Sequence, residues 1–124
     1  HKSREKANVV ASITAIGEVA GKNIIIVDDM VDTAGTLAKA ANVLKDMGAV
    51  SVRACATHPV FSGSAYEKIA NSALEEVIVS DTIPLSNDPA KDKSKITVLT
   101  MAKMFADIIR KVYNYEEISS SFIN

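Results

Sequence analysis

The chain has 124 residues, of which 48% are hydrophobic, and this is enough apolar material for one compact domain. Its 14 basic and 15 acidic residues give a net charge of -1, which provides no general field for attracting nucleic acid or anionic lipid. No stretch approaches the roughly 20 uninterrupted apolar residues of a membrane helix. We therefore expect neither nucleic acid nor a membrane as a partner.

Cysteine usage indicates a reducing compartment. The one cysteine, Cys55, lies in the largely apolar run 52–58, and it has no second thiol with which to form a disulfide or a zinc site. We expect a buried, reduced, structural thiol in a cytoplasmic protein. The sequence shows no signal peptide. It starts with His1 rather than Met, so we also expect it to be a fragment, a processed product or an ordered remainder.

The first predicted elements are a strand, a helix and a second strand. Residues 23–29 and 51–58 are short runs rich in apolar residues with polar neighbours, which is typical of strands. Between them, residues 36–49 place apolar side chains at helical spacing. Gly48 follows the periodic part, where a helix C-terminus favours glycine. The order strand, helix, strand is therefore predicted for the first half of the chain.

The second half continues the alternation. Residues 63–72 predict a helix, and 75–82 and 95–100 predict strands. Residues 84–95 are polar and rich in turn formers, which indicates a surface loop. A last helix is predicted over 101–117, with six apolar residues on one face: Met101, Met104, Phe105, Ile108, Ile109 and Val112.

Alternating helices and strands that are apolar on both faces indicate an α/β fold. We predict a single domain over residues 1–124, with a mostly parallel sheet covered by helices on both sides. Residues 1–8 are basic and polar without apolar periodicity, so composition alone indicates a solvated terminus.

The segment 32–36, DTAGT, lies where a strand leads into a helix, the usual ligand-binding edge of such a sheet. Ala34 and Gly35 are small enough for a phosphate to approach the backbone, and Thr33 and Thr36 can donate hydroxyl hydrogen bonds. Backbone N–H groups at a helix start attract anions. The segment therefore predicts a phosphate site.

Three aspartates beside a phosphate site require a second function. Asp28 and Asp29 can accept hydrogen bonds from sugar hydroxyls or hold a hydrated Mg²⁺ ion. Asp32 can cap the helix or brace the loop. A phosphorylated sugar satisfies both the acids and the phosphate loop. The alternative is that Asp29 and Asp32 are ordinary turn and cap residues.

The motif VDDMVDTAGT, residues 27–36, resembles the ribose-phosphate binding signature of the ribose-phosphate diphosphokinase family. Further similarity runs through 56–65, 72–85 and the final helix, so the resemblance covers essentially the whole chain. It implies a type I phosphoribosyltransferase-like fold. It also implies that this chain is the C-terminal half of a two-domain parent whose N-terminal domain is absent here.

The resemblance gives the two ends of the chain a role. Lys2 and Arg4 match the start of a flexible catalytic loop in residues 1–8, although Ser3 stands where many members carry Arg. Ser119 and Phe122 match a regulatory subunit contact, where Glu117 replaces a usual Ser. The matching position of His58 has no firm role in the family, and we expect a structural, hydrogen-bonded histidine.

The implied reaction transfers diphosphate from ATP to the 1-hydroxyl of ribose 5-phosphate, giving phosphoribosyl diphosphate and AMP for nucleotide biosynthesis. By this resemblance the loop 32–36 clamps the 5-phosphate, Asp28 and Asp29 fix the ribose hydroxyls directly or through Mg²⁺, and Lys2 and Arg4 neutralise charge on the transferring oxygens. Mg²⁺ is the implied cofactor, although no metal ligand is assigned to this segment, and a homohexamer is the implied assembly. The isolated segment is expected to be inactive.

Three alternatives stay open. A type I phosphoribosyltransferase uses a similar loop, but the form DTAGT and the later SDTIP, residues 80–84, argue against it. A non-catalytic regulatory paralogue would keep the fold and differ elsewhere. A receiver domain also has paired acids after a strand, but THPVFSG, residues 57–63, offers no phosphoacceptor acid.

Overall fold

The fold is built on a parallel sheet. A computed structural model of the chain describes residues 17–119, so Lys2, Arg4, Phe122 and the predicted catalytic loop lie outside the described residues. The four strands follow one another in space as they do in sequence, and all neighbouring pairs are parallel. They are β1 (Asn23–Val31), β2 (Ser51–Pro59), β3 (Glu76–Ser80) and β4 (Ile96–Leu99).

Within residues 17–119, three helices accompany these strands, each where the sequence predicts one. They are α1 (Gly35–Asp46), α2 (Ala65–Ala70) and α3 (Ala102–Tyr113). All three are shorter than their predicted ranges. At the end of α1 the N–H groups of Gly48 and Ala49 donate to the carbonyls of Lys45 and Leu44, a pairing that closes the helix around a left-handed glycine.

The connection from β3 to β4 has no helix. Residues 81–95 form turns and irregular structure, as the polar composition of 84–95 predicts. Asp81 links this connection to the start of α3, because its Oδ1 accepts the Met101 N–H at 2.8 Å. Hydrogen bonds from Met101 and Thr100 lower the pKa of Asp81 from its ordinary value of 3.8.

The core lies between one face of the sheet and helices α1 and α2. Val52 and Val77, on neighbouring strands, are fully buried together with Ile69 of α2. Where α1 packs on β2, the small side chains of Ala41 and Ala54 are both buried. Small side chains let a helix approach a sheet closely, so this face holds α1 and its N-terminus in a fixed position.

The opposite face of the sheet differs from the prediction. Ile25 is 66% exposed and Val27 is 77% exposed, and no residue of α3 is buried. Within residues 17–119, therefore, helices cover only one face, and the expectation of cover on both sides is wrong. Cys55 pairs with Val27 on this open face and is exposed, so the prediction of a buried thiol is also wrong.

Candidate functional site

The first strand runs further than the sequence indicates. Asp28 and Asp29 lie within β1, which continues to Val31, so they do not mark its end. Both are exposed, and Asp28 Oδ1 accepts the Asp29 N–H at 2.8 Å. Successive side chains of a strand point to opposite faces. The two carboxylates therefore cannot be treated as one pair.

Helix α1 begins with an open set of hydrogen-bond donors. Its N-cap is Ala34, in the left-handed conformation with φ 65° and ψ 8°, and alanine has no side-chain oxygen with which to cap the helix. The first intrahelical bond runs from the Ala38 N–H to the Ala34 carbonyl at 2.9 Å. The N–H groups of residues 35–37 come before it and have no intrahelical acceptor. This is a favourable environment for an anion.

One cavity joins this helix start to an acidic side chain. It has a volume of about 680 Å³ and includes Asp28, Asp32 and the turn from Thr33 to Thr36 in its lining. The structure thus brings together Asp28, Asp32, Thr33, Ala34, Gly35 and Thr36. Asp29 does not line the cavity, so its contact with a ligand stays a prediction.

A second loop braces the first. After β2, the Phe61 N–H donates to the Val31 carbonyl at 3.0 Å, and the Ser62 N–H donates to the Asp32 carbonyl at 3.0 Å. The Ser62 hydroxyl also donates to Asp32 Oδ1. Of the two roles open to Asp32, the structure shows bracing, since the N-cap of α1 is Ala34.

Lysine side chains lie on the other side of the same turn. A neighbouring cavity of about 820 Å³ shares Gly35 with the first one and is lined also by Lys39 and Lys68. A Cβ atom on Gly35 would lie 3.7 Å from Lys68 Nζ, so this ammonium group is close to the helix start. The lysines thus place positive charge beside the start of α1, in a cavity that Glu67 also lines.

A comparison with known protein families assigns the chain. The phosphoribosyl synthetase-associated domain matches residues 2–123, nearly the whole sequence. The chain belongs to this family.

Individual relatives of this phosphoribosyl synthetase-associated domain carry consistent names. It is 58% identical over 122 residues to a ribose-phosphate pyrophosphokinase of Wolinella succinogenes and 54% identical over 121 residues to one of Shewanella oneidensis. Both alignments cover 98% of this chain but only 38% of the relative, so the chain spans well under half of these proteins.

A solved structure shows the same architecture. The chain matches the crystal structure of phosphoribosylpyrophosphate synthetase from Mycobacterium smegmatis with a TM-score of 0.75 and 42% identity. The match covers 80% of this chain and 33% of that one. The α/β fold with a parallel sheet and flanking helices, predicted from the alternating elements, is confirmed, as is the resemblance to the ribose-phosphate diphosphokinase family.

Two other predicted residues of the phosphoribosyl synthetase-associated domain are placed without a ligand role. His58 Nδ1 lies 2.9 Å from Thr82 Oγ1, so this histidine is hydrogen-bonded, as expected. Ser119 donates a hydrogen bond to Glu117 within the same turn. The regulatory role of Ser119 stays a prediction.

Magnesium is the cofactor that the resemblance implies. Across residues 17–119 no group of three or more His, Cys, Asp or Glu side chains converges to hold a metal ion. Asp28 and Asp32 are exposed and line one cavity, where a carboxylate can contact a hydrated ion. This donor set fits Mg²⁺ that is bound mainly by substrate phosphates and water.

Ser62 and Lys68 lie near the site but belong to none of the sequence motifs that indicate it. Both come from the segment after β2, the strand next to β1 in the sheet. Because parallel strands end at one edge, the loop after each neighbouring strand is a candidate for contact with the site. That argument could have found the segment, although not the individual side chains.

Within the described residues no helix is long and apolar enough to cross a membrane.

Proposed function

We propose that the complete protein containing this chain is a ribose-phosphate diphosphokinase and that the chain supplies its ribose 5-phosphate site. The observation that carries the proposal is the cavity in which the uncapped start of α1 adjoins the carboxylate of Asp28. An anion-binding helix start and a hydroxyl-binding carboxylate together suit a phosphorylated sugar. Membership of the family and the names of the relatives support the same substrate.

Each side of the cavity takes one part of the substrate. The 5-phosphate accepts hydrogen bonds from the N–H groups at the start of α1 and from the hydroxyls of Thr33 and Thr36. The ribose hydroxyls donate to Asp28. The ammonium group of Lys68 lies close to Gly35. Its positive charge reduces the repulsion between the phosphate and the nearby aspartates.

The reaction transfers a diphosphoryl group. The oxygen of the ribose 1-hydroxyl attacks the β-phosphorus of ATP, and the bond from that phosphorus to the bridging oxygen of the α-phosphate breaks. AMP leaves with the bridging oxygen, and the hydroxyl proton is released. Catalysis of such transfers depends mainly on alignment and charge stabilisation. In this proposal Lys2 and Arg4 stabilise the negative charge on the transferring oxygens.

Other parts of the reaction belong to the rest of the protein. When bound, Mg²⁺ neutralises charge on the ATP phosphates. The relatives are much longer than this chain, and most of the ATP site is proposed to come from the missing part and from a neighbouring subunit. The homohexamer remains a prediction from the resemblance.

The test is an assay of AMP formation from ATP, ribose 5-phosphate and Mg²⁺ by the complete protein, with and without Lys2→Ala. We expect ribose-dependent activity and a loss of about 100-fold or more in the variant, the usual scale for removing an electrostatic donor in the transition state. The matched control is Lys22→Ala, an exposed lysine that precedes β1 at the opposite end of the sheet. It should leave the rate unchanged.

Each alternative has its own outcome in this test. A folded protein that binds ribose 5-phosphate but forms no AMP is a regulatory paralogue. Release of diphosphate from phosphoribosyl diphosphate in the presence of a nucleobase identifies a phosphoribosyltransferase. Activity that is indifferent to Lys2→Ala keeps the proposed function and removes Lys2 from the catalytic groups.

A further inference from the structure

The loop after β2 fixes the loop that precedes α1. Three hydrogen bonds join the two loops: Phe61 N–H to the Val31 carbonyl, Ser62 N–H to the Asp32 carbonyl, and the Ser62 hydroxyl to Asp32 Oδ1. Two of these bonds involve only backbone atoms, so they persist whatever side chain follows Phe61. The third depends on a hydroxyl and ends on the carboxylate of Asp32.

The position of Ser62 is set by its buried neighbour Phe61. Phe61 has a left-handed backbone with φ 48°, is 6% exposed, and contacts the Tyr66 ring edge to face at a centroid distance of 5.2 Å. The Tyr66 hydroxyl in turn accepts the Ser86 N–H at 2.9 Å. A buried aromatic pair therefore sets the position of Ser62, and the hydroxyl is preorganised toward Asp32.

Without that hydroxyl, Asp32 has a competing set of donors close by. It lies two residues before the N-cap Ala34, and a carboxylate at a helix start readily accepts from first-turn N–H groups. Those N–H groups, on residues 35–37, are the ones assigned above to the substrate phosphate. A carboxylate that binds them is an internal competitor, and it also repels a phosphate by its charge.

We propose that Ser62 is a positioning residue that holds the Asp32 carboxylate away from the start of α1, so that these N–H groups stay available to the phosphate of the substrate. The inference rests on the proposed function, because it concerns the same phosphate. It assigns Ser62 an effect on phosphate affinity and none on the chemical step, since Ser62 acts only through Asp32.

The test uses the complete protein with Ser62→Ala and Ser62→Thr. The alanine variant should raise the KM for ribose 5-phosphate about tenfold, while kcat and the KM for ATP change less than about twofold, because an internal acceptor competes only for the phosphate donors. The threonine variant keeps the hydroxyl and should restore the wild-type KM. Ser94→Ala is the matched control, since Ser94 is an exposed serine in the connection from β3 to β4 and lines neither of the two cavities beside the start of α1.

A second background separates positioning from a general structural role. In Asp32→Ala the side chain has neither an acceptor oxygen nor a charge, so adding Ser62→Ala should change the KM by less than about twofold. A tenfold effect in both backgrounds, or no effect of Ser62→Ala in the wild-type background, overturns the inference.

Calorimetric binding of ribose 5-phosphate in the absence of ATP keeps the two proposals distinct. Binding that Ser62→Ala weakens about tenfold supports the role of Ser62 even in a protein that forms no AMP. Normal AMP formation together with an unchanged affinity for ribose 5-phosphate in Ser62→Ala contradicts the role of Ser62 and leaves the proposed function in place. No binding of ribose 5-phosphate to the wild-type protein overturns both.

Discussion

Ala34 carries much of the geometry of the loop from Asp32 to Thr36. Its positive φ of 65° turns the chain from β1 into α1, and its 5% exposure leaves little room for a larger side chain. A left-handed conformation costs an L-residue roughly 1–2 kcal/mol, which here is offset by packing and by the bonds from the neighbouring loop. Ala34, which has no capping side chain, therefore leaves the N–H groups at the start of α1 open.

This backbone requirement predicts a contrast between two substitutions of Ala34. Ala34→Gly relieves the positive φ but loses a buried methyl group, so the free energy of unfolding should change by less than about 1 kcal/mol. Ala34→Val adds a β-branched side chain at a buried, left-handed position and should cost on the order of 2–3 kcal/mol. Urea denaturation of the purified chain measures both. Equal stability of the two variants would contradict the strained geometry of Ala34.

At the scale of elements, the ends of α1 are specified by different means. The N-terminus is open and its environment comes from the loops after β1 and β2. The C-terminus is closed by a local motif, in which Gly48 adopts φ 98° and the N–H groups of Gly48 and Ala49 satisfy the carbonyls of Lys45 and Leu44. The predicted range 36–49 begins one residue after the actual start at Gly35 and runs three residues past the actual end at Asp46. Local spacing does not show the left-handed conformation of Ala34 or the bonds from the loop after β2.

Gly48 should be more sensitive to substitution than a glycine in open space. A Cβ at Gly48 would lie 3.2 Å from the Cβ and 3.3 Å from the Cα of Ala20, whereas a Cβ at Gly63 would meet nothing within 4 Å. Both have positive φ, so alanine should cost about 1 kcal/mol at Gly63 from backbone strain alone. At Gly48 the close contact should bring the cost to about 2 kcal/mol or more.

Thermal or urea unfolding of Gly48→Ala and Gly63→Ala gives the comparison directly. A loss at Gly63 that equals the loss at Gly48 would mean that strain alone sets the cost and that the contact with Ala20 relaxes freely.

At the scale of the whole molecule, the sheet is asymmetric. One face holds the core with α1 and α2, and the other exposes Ile25, Val27 and Leu99 in the described part of the chain. Patches of exposed apolar side chains are uncommon on isolated domains. The chain spans 38% of the length of its relative from Wolinella succinogenes. The exposure of this face is therefore that of the segment by itself.

The asymmetry predicts that replacing valine by threonine changes the free energy of unfolding little on one strand and much more on another. Val27→Thr on the open face should change the free energy of unfolding by less than about 0.5 kcal/mol. Val52→Thr on the covered face buries a hydroxyl in place of a methyl group and should cost roughly 1–3 kcal/mol. The residues are 77% and 0% exposed. A similar loss at both positions in urea denaturation would show that the open face is covered in solution.

The prediction of the site was partial for a physical reason. Local spacing identified Asp28 and the segment from Asp32 to Thr36, and the structure gathers them in one cavity. Ser62 lies 30 residues from Asp32 in sequence, so no local pattern connects them. Asp29 was paired with Asp28 by adjacency, whereas strand geometry separates neighbouring side chains.

The sequence by itself determined the alternating elements, the parallel sheet and the position of the segment from Asp32 to Thr36 between a strand and a helix, because these follow from backbone preferences and hydrophobic periodicity over a few residues. Only the tertiary structure decided which face of the sheet is covered, that Cys55 is exposed, and that Ser62 holds Asp32. An apolar strand pattern records that both faces are compatible with burial, but not which elements pack on them. That depends on contacts between segments distant in sequence, and only the folded chain brings those segments together.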